Sequence, residues 1–197
     1  RNNDYTGATL LAGGTTTFDV ANGGASPDLL VSAAVQGSGI IKNGPGNLQF
    51  SAANSYGGLT TINDGFILIN DPAGLGTAAA GTALNGGNLS LVGATVSAEP
   101  LTNNSVNSIL QASGTSGWGT NVVLNANLDV QVLGAGNFDI SGPVSGVGGI
   151  KKSVTGTLRF SGGIANTYAG TTTVEAGTLE LSKSSGVISI PGNLVIG

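Results

Sequence analysis

Along the 197-residue chain, apolar and polar residues alternate in runs of four to six and almost never follow a helical period. Leu48-Gln49-Phe50, Leu89-Ser90-Leu91, Leu128-Asp129-Val130, Phe138-Asp139-Ile140, Leu158-Arg159-Phe160 and Leu179-Glu180-Leu181 each place a polar residue between two apolar ones. One face of such a strand points inward and the other outward. A short turn-former precedes most of them, as in Gly46-Asn47, Gly87-Asn88, Gly136-Asn137, Gly156-Thr157, Gly177-Thr178 and Gly192-Asn193.

The spacing turns these strands into a fold. Strand-leading apolar residues fall at Leu10, Leu29, Leu48, Ile67, Leu89, Ile109 and Leu128, at intervals of 19, 19, 19, 22, 20 and 19. A second series runs Phe138, Leu158, Leu179, at intervals of 20 and 21. A period near 20 with three short strands per period is that of a β-solenoid coil. The expected fold is all-β, a right-handed parallel β-helix forming one segment, 1–197, of a larger repeat protein. Nine to ten coils at one strand spacing each make a rod of roughly 40–50 Å. The step from Leu128 to Phe138 breaks the period, which predicts a longer loop or irregular coil between Asn121 and Val144.

A longer repeat overlies the short one. Ile41-Lys42 through Ile69 aligns with Ile150-Lys151 through Leu181, offset by 109 to 112 residues. Gly46-Asn47-Leu48-Gln49-Phe50-Ser51 then corresponds to Gly156-Thr157-Leu158-Arg159-Phe160-Ser161, and Asn54-Ser55-Tyr56 to Asn166-Thr167-Tyr168. Thr60-Thr61-Ile62 matches Thr172-Thr173-Val174, and Gly65-Phe66-Ile67 matches Gly177-Thr178-Leu179. The second copy carries two extra residues, Ile164-Ala165, where a loop would absorb them.

The run Gly156–Ser182, GTLRFSGGIANTYAGTTTVEAGTLELS, resembles the autotransporter-associated β-strand repeat, also called the passenger-associated transport repeat. The usual form of that repeat is a GTL-x-L-S-G stretch, an N-T-Y-x-G-x-T-x-V stretch and an A-G-T-L-x-L stretch. The copies lie at about 41–70 and 150–182 and cover about a third of the chain. The first, Gly46–Asn70, departs at Gly57-Gly58-Leu59 and at Phe66 but keeps Asn54, Tyr56, Thr60 and Gly65. Ala112–Val130 resembles the spacer between such repeats in very large surface proteins. The resemblance implies a right-handed β-helix stalk exported to the outside of a Gram-negative-type cell, in a family whose members carry adhesins, stalks or enzymes elsewhere in the chain. It also links the repeat to passenger export and folding.

Composition removes most chemistry. There is no Cys, which excludes disulfides and thiolate sites, and no His, which removes the commonest general base and transition-metal ligand. Charged residues are only 8% of the chain and the net charge is −4, so no basic patch exists for nucleic acid. With 40% hydrophobic residues the chain is not of disordered composition. No apolar run approaches the ~18–20 residues of a membrane helix, so no membrane insertion of this segment is expected. The chain begins at Arg1 and stops within the strand-like run Leu194–Gly197, which reads as a piece of something longer.

No catalytic, cofactor-binding or metal-binding residue is assigned, and no cofactor is expected. Asn54 with Tyr56, and Asn166 with Tyr168, could form a sugar-binding platform of ring and amide. Their recurrence at one place in both copies favours a turn Asn beside a Tyr packed at a coil corner. Trp118, between Gly117 and Gly119, is either a contact residue or a ring tucked over a coil. Tyr56, Tyr168 and Trp118 are therefore the candidate surface contacts. Asp129 and Asp139 occupy equivalent slots of two strands and could stack around calcium, while Asp64, Asp71, Glu175 and Glu180 read as solvated outward positions.

The functional expectation is a structural stalk or fibre segment of an exported surface protein, supporting passenger export and cell-surface presentation. Its partners would be neighbouring coils or subunits of the same protein, stacked end to end into a fibre. The alternative is an adhesin or glycan-binding module that uses one face of the rod against a glycan or cell-surface partner. A third reading, a polysaccharide lyase or hydrolase, is opposed by the missing His and the scattered carboxylates.

Overall fold

The computed structural model describes residues 3–6, 10–11, 13–77 and 80–197. Among them are 24 short strands and no helix. The strand pairs are parallel, with partners one coil apart: Leu29 opposes Leu48, Leu48 opposes Ile67, Ile67 opposes Leu89 and Leu89 opposes Leu110. The chain winds about 9 turns of about 21 residues each, a parallel β-solenoid. A single coil of this kind has no partner for its axial N–H and C=O groups and no cover for its inward side chains. Stacking supplies both.

Each coil crosses three faces in turn. The first face is a ten-stranded sheet running the whole length, from Asn3–Tyr5 to Leu194–Ile196. The second carries a two-stranded sheet, Leu10–Leu11 with Val35–Gln36, and later a five-stranded one, from Thr95–Val96 to Thr178–Lys183. The third carries seven strands, from Thr15–Asp19 to Val144–Gly146. Where strands lapse, the coil spacing persists. Ser55 N–H donates to Val35 O, Thr77 N–H to Tyr56 O and Thr167 N–H to Val144 O.

Inward positions stack into axial columns. On the first face Leu48, Ile67, Leu89, Leu110, Val130, Lys152, Val174 and Ile196 lie directly above one another. All but the last are buried. On the second face Val96, Trp118 and Ile140 form a comparable column. Near the beginning of the rod the Phe18 and Phe50 rings meet edge to face at 5.7 Å.

Three expectations about register are corrected. Asn121–Val144 holds no irregular coil; it contains the strands Val122–Leu124, Leu128–Val132, Asn137–Ile140 and Val144–Gly146 in normal succession. Leu128 and Phe138 belong to one coil, on the first and second faces, so the step between them is one face rather than one coil. Similarly, Leu10 pairs with Val35 on the second face, whereas Leu29 pairs with Asn3 on the first. The partner of Leu89 is Leu110, not Ile109. With three alternating segments per coil, a list of apolar positions can change face without changing its apparent period.

Leu89→Ala removes a side chain packed between Ile67 and Leu110 in a fully buried column. The expected loss is about 2–5 kcal/mol in urea unfolding followed by circular dichroism. Val147→Ala, at a corner residue 73% exposed, stays within about 0.5 kcal/mol of the parent. Equal effects would contradict the axial columns.

Candidate functional site

The feature built with most care is a cassette that occurs twice and is held by polar side chains inside the rod. Its first member is a lysine in an apolar column. Lys42 sits between Phe18 and Ile62, and Lys152 between Val130 and Val174. Both are fully buried. The Lys42 ammonium donates to Asn43 O at 2.9 Å, Gly44 O at 2.7 Å and Asp64 O at 3.1 Å. Lys152 repeats this with Ser153 O at 2.9 Å, Val154 O at 2.7 Å and Ala176 O at 3.1 Å. All three ammonium donors are used, and they tie a corner to the corner of the next coil. Burial lowers both ammonium groups from the usual lysine range, opposed by nearby carboxylates.

The corner conformation follows from that ammonium. Gly44 takes a φ of 74°, and Val154, a β-branched residue in the same position, is held at 62°. In the next coil Gly65 and Gly177 face the ammonium directly. A Cβ on Gly65 would lie 2.4 Å from Gly46 O and 2.9 Å from Lys42 Nζ. On Gly177 it would lie 2.4 Å from Gly156 O and 2.8 Å from Lys152 Nζ. This close approach explains the glycine that opens the last strand of each copy.

The asparagines do a related job where the backbone leaves the strand ladder. Asn54 Oδ1 accepts from Val35 N–H at 2.8 Å, and its Nδ2 donates to Gly74 O at 2.6 Å. Asn166 accepts from Val144 N–H at 2.9 Å and donates to Ser189 O at 2.7 Å. Each buried amide therefore binds the coil before and the coil after, in place of a peptide group. The tyrosines that follow point inward, and their hydroxyls meet Thr60 Oγ1 at 2.7 Å and Thr172 Oγ1 at 2.5 Å. Burial raises both phenols.

The two cassettes face different directions. Lys42 lies on the third face and Asn54 on the second; Lys152 lies on the first face and Asn166 on the third. The second copy is thus rotated by one face, with the same internal hydrogen bonds. The expected alignment also shifts: Lys42 corresponds to Lys152, not Lys151, because only Lys152 points into the core.

These cassettes coincide with a known repeat. The passenger-associated-transport-repeat family matches residues 40–69 and 153–181. The chain carries passenger-associated transport repeats. In a 185-residue alignment that covers 89% of the chain, it is 33% identical to the Adhesin BmaC autotransporter of Brucella suis biovar 1 (strain 1330). It spans 5% of the length of that relative. No solved structure matches the chain.

Apart from the buried lysines and asparagines, a second device runs along the corner between the third and first faces. Asn63 donates to Asn43, Asn85 to Asn63, Asn104 to Asn85 and Asn125 to Asn104, at 2.8, 3.4, 2.8 and 2.7 Å. This exposed amide ladder and the buried lysines escaped the sequence reading. An asparagine at or just after the end of five of the seven third-face strands was its signal.

The candidate surface contacts are corrected by burial. Tyr56 and Trp118 are 0% exposed and Tyr168 is 1% exposed, so all three rings are core residues. Trp118 Nε1 is buried without a hydrogen-bond partner. Asp129 and Asp139 do not stack, because they lie on the first and second faces of one coil. Asp129 pairs with Lys151 at 3.1 Å, and Asp139 with Arg159 at 2.9 Å. Glu175 also reaches Lys151, at 3.7 Å. Among the described residues no group of three or more potential ligands could hold a metal ion. A concavity of about 510 Å³ runs outside the first face past Val106, Asn107, Asp129, Lys151, Thr173 and Glu175.

One acid is out of place. Glu99 is 4% exposed, and the Thr82 hydroxyl donates to its carboxylate at 2.6 Å. Desolvation pushes its carboxyl up to about 7, against an ordinary value of 4.5.

Lys152→Met keeps the stem and leaves three carbonyls unpaired; about 1–3 kcal/mol should be lost. Gly177→Ala should cost at least as much, because a Cβ there meets main chain. Urea midpoints measure both, and a Lys152→Met protein as stable as the parent would remove the cassette's structural role.

Glu99 gives a pH dependence with a definite sign. Its folded value lies above its unfolded one, so its contribution is full below pH 4.5 and is lost as pH rises to about 7. The loss is roughly 3 kcal/mol. Glu99→Gln should flatten this part of the stability profile between pH 4.5 and 8, measured by urea unfolding at each pH.

Proposed function

We propose that this chain is a stalk segment in the passenger of an autotransporter-like protein, exported to the surface of a Gram-negative-type bacterium, where it supports presentation of other regions. The observation that carries the reading is the ten-stranded first face, which runs unbroken through the coils from Asn3–Tyr5 to Leu194–Ile196. A stack tied by main-chain ladders, buried lysines and asparagine amides resists bending and shear. The adhesin relative and the passenger repeats support the surface setting.

Leu181, Ile188, Leu194, Val195 and Ile196 are between 42% and 73% exposed at the last coil. In our reading further coils of the same protein cover them, as each coil covers the one before. The segment acts without catalysis or cofactor. Its cassettes support export by giving the emerging chain local units that lock as each coil docks.

A second reading is favoured by the relative described as an adhesin: one face of this rod contacts a glycan or cell-surface partner. The groove beside Lys151 and Thr173 is the place to test it. Substituting Tyr56 or Tyr168 would report on the core instead.

Negative-stain microscopy of the longer protein should show thin rods extending about 4.8 Å per coil. Compact globules would rule out the stalk. In the same preparations, glycan-array binding lost on Thr173→Arg would favour the adhesive reading.

A further inference from the structure

The second face is the incomplete one. Residues 52–57 and 72–77 cross it without forming strands, and its five-stranded sheet starts at Thr95–Val96. Residues 94–99 are therefore held unequally. The coil after them is bonded by main chain: Gly117 N–H donates to Ala94 O at 3.1 Å and Gly119 N–H to Val96 O at 2.7 Å. Towards the coil before them, no main-chain hydrogen bond joins 94–99 to 72–77 among the described residues. There a space of about 210 Å³ lies between the coils, bounded by Pro72, Ala73 and Gly76 on one side and by residues 96–99 on the other. The segment begins after Gly93, which has a φ of 65° and where a Cβ would meet nothing within 4 Å. It ends at Pro100, whose carbonyl accepts from Thr82 N–H at 2.9 Å.

A side-chain bond bridges this gap inside the rod. The hydroxyl of Thr82, in the coil before, donates to the buried Glu99 carboxyl at 2.6 Å. Thr82 stacks on Thr60 in the third-face column, and Thr60 meets the Tyr56 phenol. The main-chain carbonyl of Glu99 accepts from the Thr120 hydroxyl. Of these neighbours Tyr56 alone titrates, and burial raises its phenol. The strands Leu101–Asn103, Thr115–Trp118 and Val122–Leu124 carry no ionisable side chain. Asp71, ahead of residues 72–77, accepts from Ala73 N–H. The described lysines and Arg159 are engaged elsewhere. A protonated carboxyl suits these surroundings. A carboxylate there has one hydroxyl and no cation to offset its desolvation.

We propose that residues 94–99 are a pH-sensitive latch, shut while Glu99 is protonated and swung away from residues 72–77, with Glu99 turned into water, once it ionises. The swing gives up the bonds from Gly117 and Gly119 and leaves the first and third faces laddered. Water solvates a carboxylate and the rod interior does not, so the shut form loses its advantage as pH rises. The result is a soft point in one face of the rod, closed by acid and freed by base. It is independent of the stalk reading, since rods seen by microscopy neither require it nor forbid it.

The test is amide hydrogen exchange of the 197-residue chain, followed residue by residue by NMR from pH 5 to pH 8 and corrected for intrinsic rates. Protection of Gly117 and Gly119 should fall on the order of fiftyfold over that range. The fall should level off where the Glu99 carboxyl carbon titrates. Exchange at both glycines should be insensitive to urea below the unfolding transition, because a local opening exposes little surface. Asn125 and Leu133, bonded to Asn103 O and Ala112 O, should be better protected and urea-sensitive. Glu99→Gln, which keeps an acceptor for Thr82 and cannot ionise, should make protection of both glycines independent of pH. The latch is overturned if that protection does not fall between pH 5 and pH 8, or if it falls equally in Glu99→Gln. It is also overturned if both glycines match Asn125 and Leu133 in protection and urea dependence, because whole-rod unfolding then accounts for the exchange. If Glu99→Gln does not fold, the parent chain decides: levelling-off away from the Glu99 carboxyl titration overturns the latch.

Discussion

Everything in this molecule depends on the hydrogen bonds that run from each coil to the next, parallel to the rod axis. A parallel strand has no hairpin neighbour to satisfy it, so its N–H and C=O groups are paired only if another coil lies in register above or below. Along the strands the backbone meets this demand by itself. At the corners it cannot, because the chain turns and its peptide groups point away from the axis. The polar residues inside the rod are concentrated at those places. Lys42 and Lys152 supply ammonium donors to clusters of corner carbonyls. Asn54 and Asn166 supply one acceptor and one donor where a peptide group would have stood.

This division of labour explains the odd composition. Most of the few cations are spent on main-chain carbonyls or on adjacent carboxylates, which leaves an outer surface of Asn, Thr, Ser and Gly. The asparagine ladder from Asn43 to Asn125 adds axial bonds on the outside at a corner that the strands do not cover. It also explains why the cassette can rotate by one face and keep its bond lengths. The cassette needs two successive coils and one corner in a set geometry; it does not need a particular side of the rod. Beside the stretch of the second face where two coils carry no strand, the interior carboxyl of Glu99 has the Thr82 hydroxyl as its partner and no cation among the described residues.

The solenoid itself was legible in the sequence, down to coil length and the positions of the two copies. Alternation of inward and outward residues is a property of a single strand, and the coil period is a property of the chain length needed to circle the rod; both are written locally. Thr60 and Thr172, Gly65 and Gly177, and the paired Asn and Tyr residues could therefore be aligned without coordinates. Register was less legible. Leu110, not Ile109, stacks on Leu89, and Leu128 and Phe138 share one regular coil; three similar strands per coil make adjacent faces look alike in the sequence.

What only the tertiary structure decided is the direction of the side chains that join coils. Nothing local distinguishes Lys152, sealed between Val130 and Val174, from its neighbour Lys151, which lies outside against Asp129 and Glu175. The carbonyl that completes the site of Lys152 belongs to Ala176, in the following coil. Tyr56, Tyr168 and Trp118 likewise became core residues because stacked coils close over them, and Glu99 became a buried acid because its corner folds inward beside a break in a sheet. The sequence by itself determined that this chain coils and how often. Which polar groups are trapped inside depended on atoms about twenty residues away, brought near only when the coils stack.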